Sequence, residues 1–192
     1  MKRLFIFAAI LSVVMSAKAQ FLDIERVNDA SDLNLTGDNV EISRGYRGFV
    51  EVGYSIATTK YADDYDDCNL SMFTVSTTHG YQVIPNYLFV GAGVAYWNLT
   101  SYGESALPLF ADVRSDFYSF GRWGFFADLK LGYSVAGEQG LFYSPKVGAR
   151  YAITDKLGLN LGIGGTVFRM DEFSYDGGIG VGYFAINLGV DF

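Results

Sequence analysis

From about residue 45 to Phe192, hydrophobic side chains recur at every second position in eight stretches separated by turn-forming residues. Strand side chains point alternately to opposite faces, so a period of two predicts strands. The stretches fall at 45–57, 71–83, 87–97, 107–118, 124–135, 142–152, 157–168 and 179–192. In the first, Val50, Val52, Tyr54 and Ile56 share one face, and Glu51, Gly53 and Ser55 share the other. In the third, Leu88, Val90, Ala92, Val94 and Tyr96 oppose Gly91, Gly93 and Ala95. In the seventh, Leu157, Leu159, Leu161 and Ile163 oppose Gly158, Asn160 and Gly162. One face is continuously apolar, while the other is small, polar or charged.

The last stretch shows the pattern most fully. Phe184, Ile186, Leu188, Val190 and Phe192 form the apolar face, against Ala185, Asn187, Gly189 and Asp191. Such a strand suits a closed sheet in which the final strand pairs back onto the first.

Aromatic residues on the apolar face add a second regularity. Tyr46 and Tyr54, Phe73 and Tyr81, Phe125 and Tyr133, and Tyr143 and Tyr151 are each eight positions apart. Eight strand residues span ~26 Å. A strand tilted by ~40° covers ~20 Å of that along a membrane normal, close to the ~25 Å apolar band that aromatic girdles flank in membrane barrels. The sequence therefore predicts an all-β fold, an eight-stranded antiparallel up-and-down transmembrane barrel with a lumen filled by side chains. The gaps at 84–86, 119–123 and 153–156 are short, and those at 58–70, 98–106, 136–141 and 169–178 are mostly longer. An even strand number puts both termini at the short-turn end, which is the periplasmic side of an outer-membrane barrel.

The first 43 residues differ. Lys2 and Arg3 precede an apolar run from Leu4 to Met15, and Ala17-Lys18-Ala19 supplies the small residues of a cleavage site. Residues 1–19 read as a secretory signal peptide, and 20–43 as an acidic N-terminal extension to a barrel at 44–192. The apolar run is too short for a membrane helix, which takes ~20 residues. Removal of the leader takes 3 of the 14 basic residues and leaves 21 acidic against 11 basic. That balance argues against nucleic acid as a partner. Cys68 is the single cysteine, so no internal disulfide can form.

Together these features resemble the small eight-stranded outer-membrane barrels of the OmpA/OmpX-like family. The resemblance covers about 44–192. It rests on the Gly-Tyr pairs Gly80-Tyr81 and Gly132-Tyr133, on the segment from Pro108 to Arg114, and on the terminal Phe192. It implies a bacterial outer-membrane location, a lipid bilayer as the permanent partner, and transient engagement of Phe192 and its strand by the barrel-assembly machinery. It further implies an unidentified extracellular ligand held by surface loops, of which the first, second and fourth are the candidates.

Candidate chemistry is sparse. The polar face carries Glu51, Asp112, Arg114, Asp116, Asp128, Lys130, Lys146 and Arg150. Isolated charges inside a narrow barrel would be costly, so they are expected to pair, chiefly among the neighbouring strands four, five and six. Such pairs hold a barrel shut; the alternative is a narrow porin-like channel. Asp63, Asp64, Asp66 and Asp67 crowd one loop, but without calcium-loop spacing, and a solvated charge run is the simpler reading. His79 is the only histidine and falls on the apolar face beside Tyr81, with Thr77 two residues before it. A lipid-modifying enzyme would want a serine together with a carboxylate beside it, and that face does not offer the pair. A soluble lipocalin-like barrel would place its apolar side chains inward, not outward. The sequence thus predicts a non-enzymatic outer-membrane barrel with no metal, no cofactor and no catalytic residues.

Overall fold

The computed structural model describes residues 42–58, 71–100, 103–170 and 179–192. Eight strands follow one another: β1 (Gly45–Ala57), β2 (Ser71–Ile84), β3 (Leu88–Leu99), β4 (Glu104–Phe120), β5 (Trp123–Gly137), β6 (Gly140–Ala152), β7 (Gly158–Met170) and β8 (Ile179–Asp191). Each pairs antiparallel with the next, and β8 returns to β1 to close the barrel. At that seam Val52 lies opposite Leu188 and Tyr54 opposite Ile186. The Gly48 N–H donates to the Phe192 carbonyl at 2.7 Å, and the Phe192 N–H donates back to the Gly48 carbonyl at 3.0 Å. Closure removes the unpaired edges that an open sheet would expose.

The faces are set by the alternation. Val52, Tyr54, Leu109, Leu131, Leu161, Ile163, Ile186 and Leu188 are exposed on the outside. Glu51, Ser55, Phe89, Lys130, Asn160 and Ala185 are buried inside. The inside-out distribution is what a bilayer requires, since lipid has no water to satisfy polar side chains or free strand edges.

The connections differ from the sequence expectation at two places. The 98–106 and 136–141 gaps shrink to 100–103 and 138–139, because β4, β5 and β6 run further than their clearest alternation shows. Pro108 lacks an N–H, and a register shift between Ala106 and Pro108 lets β4 pass it. Gly103 and Gly137 take φ of +64° and +73°, left-handed values that turn the chain tightly where a side chain would be strained. The second surface loop is therefore four residues long, 100–103. The long connections are 58–70, between β1 and β2, and 171–178, between β7 and β8. The stretch expected to be a signal peptide, most of the acidic extension, the Asp63–Asp67 run and Cys68 lie outside the described residues. Ile42, near the end of the extension, donates its N–H to Asn86 Oδ1 at 2.5 Å and accepts from the Asn86 N–H at 3.0 Å, across the β2–β3 turn.

A second bulge, between Asp116 and Tyr118, shifts the phase of β4 near the terminal end. Phe117, Tyr118 and Phe120 all become outward-facing and exposed there. With Trp123 and Phe125 they make a dense stretch of the aromatic girdle, in which Trp123 meets Tyr151 edge-on at 5.0 Å.

Candidate functional site: the lumen and the girdles

The lumen is built by pairing large rings on one strand with glycines on its neighbour. Phe110 faces Gly93 across β3–β4, and Phe126 faces Gly148 across β5–β6. A Cβ on either glycine would lie 2.5 Å from the ring's Cζ, so the glycines make the room that the rings fill. The inward position of the rings leaves the outward face free for lipid.

Three layers result. Near the ends of the strands that carry the termini, Asp191 accepts from Arg150 Nε at 2.9 Å, Arg47 Nε at 3.2 Å and Asn160 Nδ2 at 2.8 Å. Arg47 Nη1 donates onward to Asp116 at 2.7 Å and to Gln82 at 3.0 Å. Arg114 Nη2 donates to Asn160 Oδ1 at 2.6 Å, and the guanidinium lies 3.5 Å from the Phe126 ring centre. Arginine suits this layer, because its flat weakly hydrated head can stack on a ring while it donates at its edge.

The middle layer centres on Glu51. Lys146 Nζ donates to its Oε1 at 2.6 Å and Oε2 at 2.7 Å, and Lys130 Nζ donates to Oε2. Asp128 lies 3.5 Å from Lys146. Asp112 stands opposite Lys130 in the β4–β5 register. Oδ1 of Asp112 and Oδ1 of Asp128 have no hydrogen-bond partner among the described residues.

Above this, toward the long connections, Met72, Trp97, Phe110, Phe142, Phe168 and Tyr183 form an apolar cluster. Trp97 packs edge-on against Phe142 at 4.7 Å and Phe168 at 5.4 Å. At the opposite mouth a cleft lined by Ile42, Asp116, Trp123 and Arg150 encloses about 20 Å³, room for a water and too little for a ligand.

Among the described residues the buried basic side chains are Arg47, Arg114, Lys130, Lys146 and Arg150, and the buried acidic ones are Glu51, Asp112, Asp116, Asp128 and Asp191. The pairing corrects the expectation of links chiefly among strands four, five and six. Glu51 on β1 reaches across the lumen to β5 and β6, and Asp191 on β8 gathers Arg47 and Arg150. Arg47 and Asp191 were missing from the sequence-derived network. Parity carries the signal for both, since Arg47 shares the face of Glu51 and Asp191 that of Asn187. In a barrel this narrow, the partner across the lumen is as near as the partner next door.

Outside, Tyr46, Tyr54, Phe73, Tyr81, Phe125, Tyr133 and Tyr143 are exposed, and Tyr151 is half-buried under Trp123. Phe184, Ile186 and Leu188 are exposed on β8, whereas Val190 and Phe192 are partly covered. His79 faces outward. Its Nδ1 meets the Tyr46 hydroxyl at 2.5 Å and its Nε2 meets Thr77 Oγ1 at 3.0 Å.

No protein-family model and no curated protein sequence matches the chain. Among solved structures it is similar to Neisserial surface protein A (NspA), with a TM-score of 0.58 at 14% identity over 77% of this chain and 96% of that one. A looser similarity links it to the N-terminal β-barrel domain of Pseudomonas aeruginosa OprF, with a TM-score of 0.47 at 10% identity over 78% and 100% of the two chains. Ail, the attachment invasion locus protein of Yersinia pestis, gives 0.44 at 14% identity over 78% and 100%. The antiparallel closure, the apolar exterior and the likeness to NspA agree: the chain has the fold of the small eight-stranded outer-membrane β-barrels.

Proposed function

We propose that the chain is a non-enzymatic integral protein of a bacterial outer membrane that works through its surface and not through a pore. The observation that carries this reading is the lumen, which is occupied from the terminal end to the apolar cluster by paired charges and packed rings. Ions would have to break those pairs and then pass an apolar constriction. The rigid barrel holds the ends of two long connections, and loops on a rigid scaffold carry recognition. Envelope structure and the display of those loops to an extracellular ligand are the roles this supports. The apolar, aromatic-flanked exterior supports the bilayer as permanent partner, and the leader-like pattern of residues 1–19 supports export. The barrel-assembly machinery is the transient partner, acting on the strand that ends in Phe192.

Fractionation tests the location. The protein should stay with outer membranes until detergent is added, and should show a heat-dependent gel shift when folded. Release as a soluble periplasmic protein would overturn the reading. Deletion of Phe192 should lower the amount inserted several-fold, as measured by protease-resistant folded protein in the membrane fraction.

A further inference from the structure

The outer face carries one polar chain that the lumen does not explain: Tyr46 on β1 with His79 and Thr77 on β2. Tyr46 stacks on the imidazole, with ring centres 6.1 Å apart and planes 21° apart. The Phe192 ring approaches the same imidazole edge-on at 6.4 Å. Exposed Tyr81 lies opposite Tyr46, and further along the strands exposed Val52 and Leu188 lie opposite each other, an apolar surface for an acyl chain.

Hydrogen-bond bookkeeping fixes the direction of this chain. A neutral tyrosine, histidine and threonine each bring one donor hydrogen. The two links use two, so one hydrogen is left for a partner outside the trio. With the proton on Nε2, the imidazole donates to Thr77 and Tyr46 donates to Nδ1. The spare hydrogen then sits on Thr77, a residue only 9% exposed that makes no other side-chain hydrogen bond among the described residues. On a lipid-facing surface that hydrogen would go unsatisfied, at substantial cost. With the proton on Nδ1, the imidazole donates to Tyr46 Oη and Thr77 donates to Nε2. The spare hydrogen is then the Tyr46 hydroxyl, on a residue 56% exposed within the aromatic girdle. Headgroup and ester oxygens lie at that depth.

We propose that the Tyr46 hydroxyl, oriented by His79, is a donor site for a phosphate or ester oxygen of a bilayer phospholipid seated at the β1–β2 face. The proposal rests on the outer-membrane reading. The occupant is lipid and not a free anion, because the donor stands among apolar side chains on the outer wall, away from the lumen. Accepting a hydrogen bond from the imidazole also makes Tyr46 a better donor to the lipid.

His79 is the only histidine, so selective nitrogen-15 labelling of the full chain gives one pair of ring signals. In nanodiscs of phosphatidylethanolamine and phosphatidylglycerol, the expected state is protonated Nδ1 and bare Nε2. Tyr46→Phe should, in native mass spectrometry, lose one retained phospholipid. Thr77→Val and the girdle control Tyr54→Phe should keep that lipid. The Nε2–H tautomer or a doubly protonated ring in the unmodified protein would overturn the proposal. So would equal lipid retention by Tyr46→Phe, or loss of the lipid in Thr77→Val. Inorganic phosphate added to protein in a phosphate-free, ester-free detergent should leave the ring signals unchanged; a Tyr46-dependent change would assign the site to the free ion and refute the lipid. The heat-dependent gel shift shows that each variant is folded. Fractionation separately reports on the membrane reading, so the two failures are distinguishable.

Discussion

Glu51 accepts from two lysines carried by different strands on the far side of the lumen. A buried carboxylate gains from such pairing only while its partners stay, and truncating one partner of a buried ion pair costs about 3–5 kcal/mol. Glu51→Gln should therefore destabilise the barrel by about that amount, read as a lower urea midpoint for unfolding from lipid vesicles. Replacing the whole layer with Glu51→Leu, Lys130→Met, Lys146→Met, Asp112→Asn and Asp128→Asn should recover most of the loss, because no charge of that layer is then left without a partner. At this scale the sequence shows which residues face inward, since parity is a local property. It does not show that Glu51 would choose Lys130 and Lys146, or that Asp191 would gather two arginines. Those choices depend on the width of the lumen and the register of closure, which no single strand encodes.

Among the strands, the seam between β1 and β8 is set by how Phe192 lies on Gly48. A Cβ on Gly48 would come within 2.5 Å of Phe192 Cε2 and 2.8 Å of its Cζ. Gly48→Val should push the ring off its seat and cost about 1–3 kcal/mol, as other overpacked sites do. Amide hydrogen exchange should rise at 48–50 and 189–192 before it rises at the β4–β5 pair. The strands themselves were legible from alternation, and so was the return of the last strand to the first. The two bulges of β4 were not. Glu104, Ser105 and Ala106 look like loop residues in isolation, yet pairing with β3 carries them into the sheet. The phase shift at Phe117 likewise adds an aromatic to the girdle that a strict period of two assigns to only one of two neighbouring positions.

For the whole molecule, sealing is divided between the ion layers and the ring cluster above them. In planar bilayers the unmodified protein should give no stable large conductance. Trp97→Ala combined with Phe142→Ala removes the edge-to-face contact at the centre of the cluster. That pair should introduce discrete current steps while the heat-dependent gel shift persists. A large stable conductance in the unmodified protein would refute the closed lumen.

Two of the four connections at the loop end are short, and the long ones join β1 to β2 and β7 to β8. Those four strands are contiguous through the seam. The roots of both long connections therefore share one half of the rim, and the connections within β3 to β6 at that end are four and two residues long. Any ligand gripped by both would approach off-axis, tilted toward the side where the sheet closes. A peptide epitope inserted between Glu138 and Gln139 would stand on the opposite side. Antibody bound to it on intact cells should leave a ligand of the native loops free to bind, whereas the same epitope placed in 58–70 should compete with it.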